Sequence, residues 1–280
     1  MSILESTSHR PWPLPQSPWI MAQTWHNLLF AHWPVPVSAL RSAVPSQLEI
    51  DTCDGVGWLG VVAFRLSGIR LRGLPEVSLV SHFPEVNVRT YVHAEGKPGV
   101  FFMSLDADNP LAIAIAKPWF RLNYLNAQIH FQKEGSTITI SSRRKQRHAP
   151  ESELDVTYRP CSPPYRAKAG SLEHWLTERY CYYSVSRRGR VYRCEVRHPE
   201  WQLQRAKAEI RANTMALSHG ITVPEGEPLL HYAHFMKAVI WPVRRLKAGR
   251  VFSCRRRLVA EQPGSAYAAL SGDRSADRGG

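Results

Sequence analysis

A ten-residue stretch, Phe83–Val92, constrains the fold more than any other part of the chain. In a β-strand, its side chains would alternate between the two faces of a sheet. One face would carry valines and a threonine, and β-branched residues pack well against a neighbouring layer. The other face would carry four polar side chains in one row: Glu85, Asn87, Arg89 and Tyr91. A polar row in such an apolar region indicates either a solvent-exposed face or the wall of a cavity, and we favour the cavity.

The polar row also has a structural explanation, which the sequence leaves open. Glu85, Asn87 and Arg89 could form a buried network that fixes the register of the strands, with Arg89 paired to a loop carboxylate. Buried charges are costly, and a buried ion pair is weak evidence of stabilisation. Titratable groups in a cleft, by contrast, are often functional. We therefore expect the row to face a cavity that binds a small molecule.

The rest of the chain predicts a protein made mainly of strands. Residues 96–99 form a turn signal after the polar strand, and Val100–Leu105 is the return strand of a hairpin. An almost wholly apolar helix begins at Pro110, with Asp108 or Asn109 as its N-cap, and we expect it to be buried. Further strands are predicted at Trp25–Trp33, Val56–Leu66, Ala127–Gln132, Thr137–Arg143, Asp155–Tyr158, Tyr182–Ser186, Val191–Arg197, Ala206–Ile210 and Leu229–Trp241, and further helices at Val37–Val44, Leu172–Tyr180 and Thr214–Ser218.

This pattern of many strands and few helices defines the predicted fold class. It is mainly β (α+β), with an antiparallel sheet that curls or closes into a β-barrel and a few peripheral helices. We expect one domain over residues 21–246. The Pro- and Ser-rich leader, 1–20, and the basic, then Gly- and Ser-rich tail, 247–280, are predicted to be disordered.

The charge of the chain is strongly positive but clustered. The 280 residues contain 36 Lys and Arg against 23 Asp and Glu, a net charge of +13 at pH 7. The clusters, such as 143–147 and 187–190, are typical of solvated loops, and no nucleic-acid-binding motif accompanies them. No apolar run reaches the ~18–20 residues of a membrane helix. Five scattered cysteines without a C-x-x-C pair indicate a reducing compartment.

These features predict a cytoplasmic protein whose partner is a small-molecule ligand in the barrel cavity. Neither a membrane nor a nucleic acid is favoured as a partner, and the sequence leaves the formation of a homo-oligomer open. No cofactor is expected, because the chain lacks the dinucleotide-binding, phosphate-binding, nucleophile-elbow and zinc-protease motifs.

No metal site is predicted either. Asp106 and Asp108 supply two carboxylates, whereas hard cations take about six or more oxygen ligands. Capping of the apolar helix is therefore the better assignment for Asp108. His231 and His234 would lie on opposite faces of the last long strand and could not bind one ion together.

Several motifs together resemble a known family. They are FPEVNVRTY, GKPGV, SLDAD and RLNYL within Phe83–Leu125, with LLFAHWPV, LTERYCYYS and HPEWQLQ elsewhere. In combination they resemble the YqjF-like family of uncharacterised bacterial proteins over roughly residues 21–245. The segment Phe83–Leu125 is also similar, more distantly, to acetoacetate decarboxylase. That resemblance implies a closed, cone-like β-barrel with a ligand cavity and helices packed outside.

The resemblance to the decarboxylase also implies roles for particular residues. The active-site glutamate of the decarboxylase falls on Glu85. The lysine that forms its Schiff base falls on Tyr124, and the adjacent lysine falls on Leu125, while Lys117 has no counterpart. An imine requires a primary amine, which a phenol cannot replace. This chain is therefore not expected to decarboxylate acetoacetate through an imine.

Together these observations predict a protein that binds or transforms a small acidic or carbonyl compound. Glu85 is the candidate proton-transfer or hydrogen-bonding group, and Tyr124 is either a neutral hydrogen-bond donor to the ligand or a core aromatic residue. Candidate ligand-binding residues are Asn87, Arg89, Tyr91 and Arg121. Arg89 would anchor a carboxylate, whereas Arg121 is equally well explained as a solvated arginine at a helix end. The alternative function is a non-catalytic scaffold or regulatory interaction protein whose polar strand is only structural.

Overall fold

Strands dominate the computed structural model, which describes Leu4 and residues 7–247. The helices are short: α1 (Val37–Ala43), α2 (Ser78–Ser81), α3 (Pro110–Phe120), α4 (Leu172–Thr177) and a 3₁₀ turn (Leu217–His219). The strands are β1 (Met21–Val35), β2 (Glu49–Ile50), β3 (Gly57–Leu71), β4 (Phe83–Ala94), β5 (Lys97–Ala107), β6 (Tyr124–Glu134), β7 (Thr137–Arg144), β8 (Glu153–Pro160), β9 (Cys181–Val185), β10 (Val191–Arg197), β11 (Leu203–Asn213), β12 (Leu229–Ile240) and β13 (Arg244–Arg245).

Strand β4 closes the sheet. It pairs with β3 along one edge and with β5 along the other. The order β5-β6-β7-β8-β11-β12-β1-β3-β4 therefore returns to β5, and these strands form a closed ring. The predicted mainly-β fold with a closed sheet and a few outer helices is confirmed.

The sheet departs from the predicted antiparallel pattern at β5. This strand pairs in parallel with both β6 and β9, whereas every other pairing in the described part of the chain is antiparallel. The chain leaves β5, crosses over through α3 and re-enters the sheet as β6 in the same direction. Such a crossover connection produces a parallel pair.

Helix α3 begins where the sequence predicts, and its N-cap is Asn109, one of the two predicted cap residues. The side chain of Asn109 accepts a hydrogen bond from the backbone N–H of Ala112 at 2.9 Å. Asp108 instead accepts one from the backbone N–H of Ile129 at 3.3 Å. The assignment of Asp108 as the cap is therefore wrong, because its carboxylate is directed to β6. No described helix has the length and apolar character needed to cross a bilayer.

The segment before β1 packs against the sheet. Residues 7–20 contain no helix or strand, yet Arg10 is buried and pairs with Glu195 at 3.1 Å. The indole N–H of Trp12 donates to the same carboxylate at 2.7 Å. The sequence predicts disorder for residues 1–20. In the structure, Arg10 and Trp12 of this segment contact the sheet because Glu195 offers them a charged partner. The predicted tail, 247–280, lies outside the described residues after its first position.

A buried ion pair joins two strands of the ring. Arg144 of β7 donates through Nε and Nη2 to the two carboxylate oxygens of Asp106 in β5, each at 2.9 Å. Its Nη2 also donates to Ser104 Oγ at 3.2 Å. Both side chains of the ion pair are almost inaccessible to solvent. The ion pair between Asp106 and Arg144 therefore links β5 to β7.

We expect Asp106→Ala to destabilise the fold by about 3–5 kcal/mol, because it leaves the Arg144 guanidinium buried without its counter-ion. The matched control is Asp155→Ala, which removes a carboxylate from a more exposed pair with Arg211. That change should cost less than about 1 kcal/mol. Urea unfolding measures both free energies, and equal losses in the two variants would contradict this account.

Candidate functional site

A cavity of about 390 Å³ lies against the polar face of β4. Its volume falls within the range of about 300–1,000 Å³ that small-molecule sites occupy. Glu85, Asn87 and Arg89 of β4 line it together, so the predicted row faces a cavity along these three positions. Tyr124, at the start of β6, also lines it. The rest of the wall is largely apolar and comes from β1, β3, β5, α3 and the loop before α2, together with residues in and just after α4 and β10 and residues of β9 and β12.

A glycine in β3 gives the polar row its space. Gly60 is the register partner of Arg89. A Cβ atom at Gly60 would lie 3.0 Å from His32 Cδ2 and 3.2 Å from Arg89 Cγ, closer than ordinary van der Waals contact. The absence of a side chain at Gly60 therefore accommodates two polar residues, His32 and Arg89.

Glu85 is a buried carboxyl group without a cationic partner in the described residues. It is 4% exposed, and it accepts hydrogen bonds from Asn87 Nδ2 at 3.4 Å and from the Tyr124 hydroxyl at 3.3 Å. Burial raises its pKa to about 7, although the two hydrogen bonds oppose the shift. Both the neutral acid and the carboxylate are therefore populated near neutral pH, as proton-transfer chemistry requires.

Tyr124 is the direct partner of this carboxyl. Burial raises the pKa of its phenol well above the ordinary value, and the neighbouring Glu85 raises it further. Its hydroxyl consequently stays protonated and serves as a hydrogen-bond donor. No described lysine lines the cavity, so the wall offers no amine for an imine.

Arg89 presents unused donors at the cavity. Its guanidinium lies over the rings of Phe30 and Tyr91, at 5.3 and 5.9 Å from their centroids. Its Nε and Nη2 are buried without a hydrogen-bond partner, and no carboxylate in the described chain forms an ion pair with it. The loop carboxylate that the sequence leaves open as its partner is therefore not found among these residues. Unpaired buried donors are costly, and an anionic ligand would satisfy them.

The structure adds a second arginine to the site. Arg179, just beyond α4, lines the cavity, and its guanidinium stacks on Trp175 and Tyr91 at 4.2 and 4.8 Å. Its Nη1 donates to Asp51 at 2.6 Å, and its Nη2 is buried without a partner. The sequence places Arg179 in a predicted helix, Leu172–Tyr180, and does not identify it as a site residue. Spacing along the chain does not show that Arg179 contacts β4.

Two residues that the sequence predicts to bind ligand lie outside the cavity wall. Tyr91 is fully buried, and its hydroxyl forms a 2.7 Å hydrogen bond with His32 Nε2. The ring of Trp175 packs on it with 4.7 Å between the ring centroids, and neither ring lines the cavity. Arg121 ends α3 in a left-handed conformation, and its guanidinium lies over Tyr192 at 4.3 Å. The wall from β4 therefore ends at Arg89.

Two other reactive residue types line the cavity in unreactive states. Burial raises the pKa of the Cys181 thiol to about 12, so it stays protonated rather than becoming a nucleophilic thiolate. Burial lowers the pKa of His198, and its ring nitrogens face the backbone oxygens of Pro199 and Arg179 at 2.7 and 3.1 Å. Glu85, by contrast, has a pKa of about 7.

The fold, a large sheet with a closed ring of strands, is similar to that of acetoacetate decarboxylase-like enzymes. The enduracididine biosynthesis enzyme MppR complexed with pyruvate has a TM-score of 0.55 and 12% identity, over 85% of this chain and 93% of that one. The acetoacetate decarboxylase of Legionella pneumophila has a TM-score of 0.54 and 13% identity, over 86% of this chain and 93% of that one. At such low identities these likenesses show the fold alone.

The sequence comparison defines the family. Residues 22–237 match the DUF2071 family, described as an uncharacterized conserved protein, and this chain belongs to that family. It is 46% identical over 232 residues to the uncharacterized protein YqjF of Bacillus subtilis (strain 168), over 83% of this chain and 95% of that protein. The resemblance to YqjF-like proteins that the motifs indicate is confirmed.

We expect Glu85→Gln to alter how the stability of the ligand-free protein depends on pH. The pKa of Glu85 in the folded state, about 7, lies above its ordinary value near 4.5. The contribution of the carboxyl is therefore fully present below about pH 4.5 and is lost as the pH rises through 7. Between about pH 5 and about pH 8, the wild type should lose on the order of 2–3 kcal/mol relative to the variant.

Urea unfolding of both proteins at the two pH values gives this difference directly. Glutamine cannot ionise, so the comparison removes the contributions of the other titrating groups. A wild-type-minus-variant difference that stays constant with pH would contradict the raised pKa of Glu85.

Proposed function

We propose that this protein binds a small carboxylate that also carries a carbonyl group, and that it transfers a proton on this compound. The observation that carries the proposal is the set of unpaired, buried donors of Arg89 at the wall that also holds Glu85. A carboxylate would accept hydrogen bonds from the Arg89 guanidinium, with charge-assisted geometry. Arg179, which has a further unpaired donor, would add to the positive potential.

The proposed chemistry uses the two protonation states of Glu85. As a carboxylate, Glu85 would take the proton from the carbon next to the carbonyl, and the electron pair of the C–H bond would pass to the carbonyl oxygen. The Tyr124 hydroxyl would donate a hydrogen bond to that oxygen as its negative charge develops. Return of the proton from Glu85 to the same carbon, as the electron pair moves back from the oxygen, would restore the carbonyl compound and complete a proton exchange.

The structural neighbours support the class of compound rather than the mechanism. MppR is described as complexed with pyruvate, and the decarboxylases are named for acetoacetate; both compounds are small carboxylates that carry a carbonyl. Tyr124 stands where the resemblance to the decarboxylase expects the lysine of the Schiff base. The proposed function therefore includes the binding of a carboxylate ligand and a proton transfer, but no imine intermediate.

We expect Arg89→Gln to weaken the binding of small carboxylates by about 10- to 100-fold, the range for loss of a hydrogen bond to a charged group. Isothermal titration with acetate, pyruvate and acetoacetate measures the dissociation constants. The matched control is Arg121→Gln, which changes an arginine that also stacks on an aromatic ring but lies outside the cavity wall. If the wild type binds none of these acids, the proposal is wrong and the structural explanation of the polar strand gains support.

We expect Tyr124→Phe to weaken the binding of pyruvate by about fivefold, because one hydrogen-bond donor is lost. Stability should fall by only about 1 kcal/mol or less, since the ring and its packing remain. Tyr165→Phe is the control, because it removes a comparable hydrogen bond, to Glu173 at 3.1 Å, outside the cavity wall. A large loss of thermal stability with unchanged affinity would instead identify Tyr124 as a core residue.

A further inference from the structure

The cavity changes character between its buried and exposed ends. At the buried end lie Glu85 and Asn87, each 4% exposed. At the outer end its wall consists of apolar side chains that reach solvent. These are Leu74 at 56%, Val77 at 60%, Ile115 at 52% and Trp119 at 57% exposure. We call these four residues the apolar rim.

Helix α3 contributes to the rim through a face that the sequence predicts to be buried. Leu111, Ile115 and Trp119 are spaced four residues apart and lie along one side of the helix, where all three are exposed. The opposite side packs into the core through Ala112 and Ile113. A helix that is apolar on both sides normally has both sides covered. The exposed stripe is therefore unexplained by the fold and lies where the cavity opens.

The wall between the two ends is apolar as well. Phe30, Val62 and Phe64 line the cavity from β1 and β3, and Phe83 and Ile113 line it from β4 and α3. A short polar ligand alone would leave this apolar wall uncovered. Burial of an apolar chain here would be favourable at about 0.8 kcal/mol per methylene group, equivalent to about fourfold in affinity.

We propose that the ligand is an amphipathic monocarboxylate, whose carboxylate lies at Arg89 and whose unbranched apolar chain runs along the cavity to the apolar rim. This inference rests on the proposed function for the carboxylate end and adds the substrate class. The chain would cover the exposed stripe of α3 at Ile115 and Trp119. Arg70 also lines the cavity, and its guanidinium lies over the Trp19 ring, 5.9 Å from the centroid.

The test is isothermal titration of the wild type with straight-chain monocarboxylates from butanoate to decanoate, below their micelle-forming concentrations. We expect the affinity to rise by about fourfold per methylene group until the chain passes the rim. Ile115→Asp should weaken decanoate binding at least about tenfold more than it weakens butanoate binding, which corresponds to the loss of roughly two buried methylene groups. The control is Leu217→Asp, because Leu217 is a similarly exposed apolar residue, at 59%, away from the cavity wall.

The outcomes separate this inference from the proposed function. Binding that requires Arg89 but does not depend on chain length would overturn the apolar tail and leave the carboxylate site intact. Decanol binding as tightly as decanoate, with no effect of Arg89→Gln, would overturn the carboxylate anchor. If a dicarboxylate binds more tightly than the monocarboxylate of equal length, the second carboxylate of the ligand binds at the rim, which would contradict an apolar tail. No binding of any acid would overturn both proposals.

Discussion

The pairing of β4 along both of its edges is the constraint on which the site depends. Because β3 and β5 pair with this strand on both edges, its valine face packs with residues of β6, β7 and β8, and its polar face lines the cavity. On the polar face, Glu85 has no cationic partner and Arg89 has no carboxylate partner among the described residues. Both groups are costly in this position. A ligand that meets both of them accounts for their presence more simply than stability does.

The fold is similar to that of acetoacetate decarboxylase, but the residues at the cavity belong to this chain. The cavity wall holds a phenol at Tyr124 and, among the described residues, no lysine. One fold commonly carries several reactions, so the site must be interpreted from its own groups. Here these are a carboxyl with a pKa of about 7, a neutral hydroxyl donor and two arginines with unused donors.

The sequence predicts the local features of the site well and the long-range ones poorly. Alternation predicts the polar strand at Phe83–Val92, close to the observed Phe83–Ala94, and turn chemistry predicts the hairpin that follows. Alternation alone cannot show that Tyr91 packs on Trp175 and lies outside the cavity wall, because that contact joins residues far apart in the chain. Arg179 is missed for the same reason. Helix α3 is predicted as buried because composition does not reveal which of its apolar faces has a partner.

The most direct test of the account is a carbon-13 NMR titration of the Glu85 carboxyl, with Glu85→Gln used to assign the signal. The account predicts a midpoint near pH 7 in the ligand-free protein. It also predicts that saturating pyruvate moves the midpoint upward, because a second negative charge enters the same cavity. A midpoint near the ordinary value of 4.5 would contradict the buried acid. A midpoint near 7 that does not respond to carboxylates would contradict the shared site.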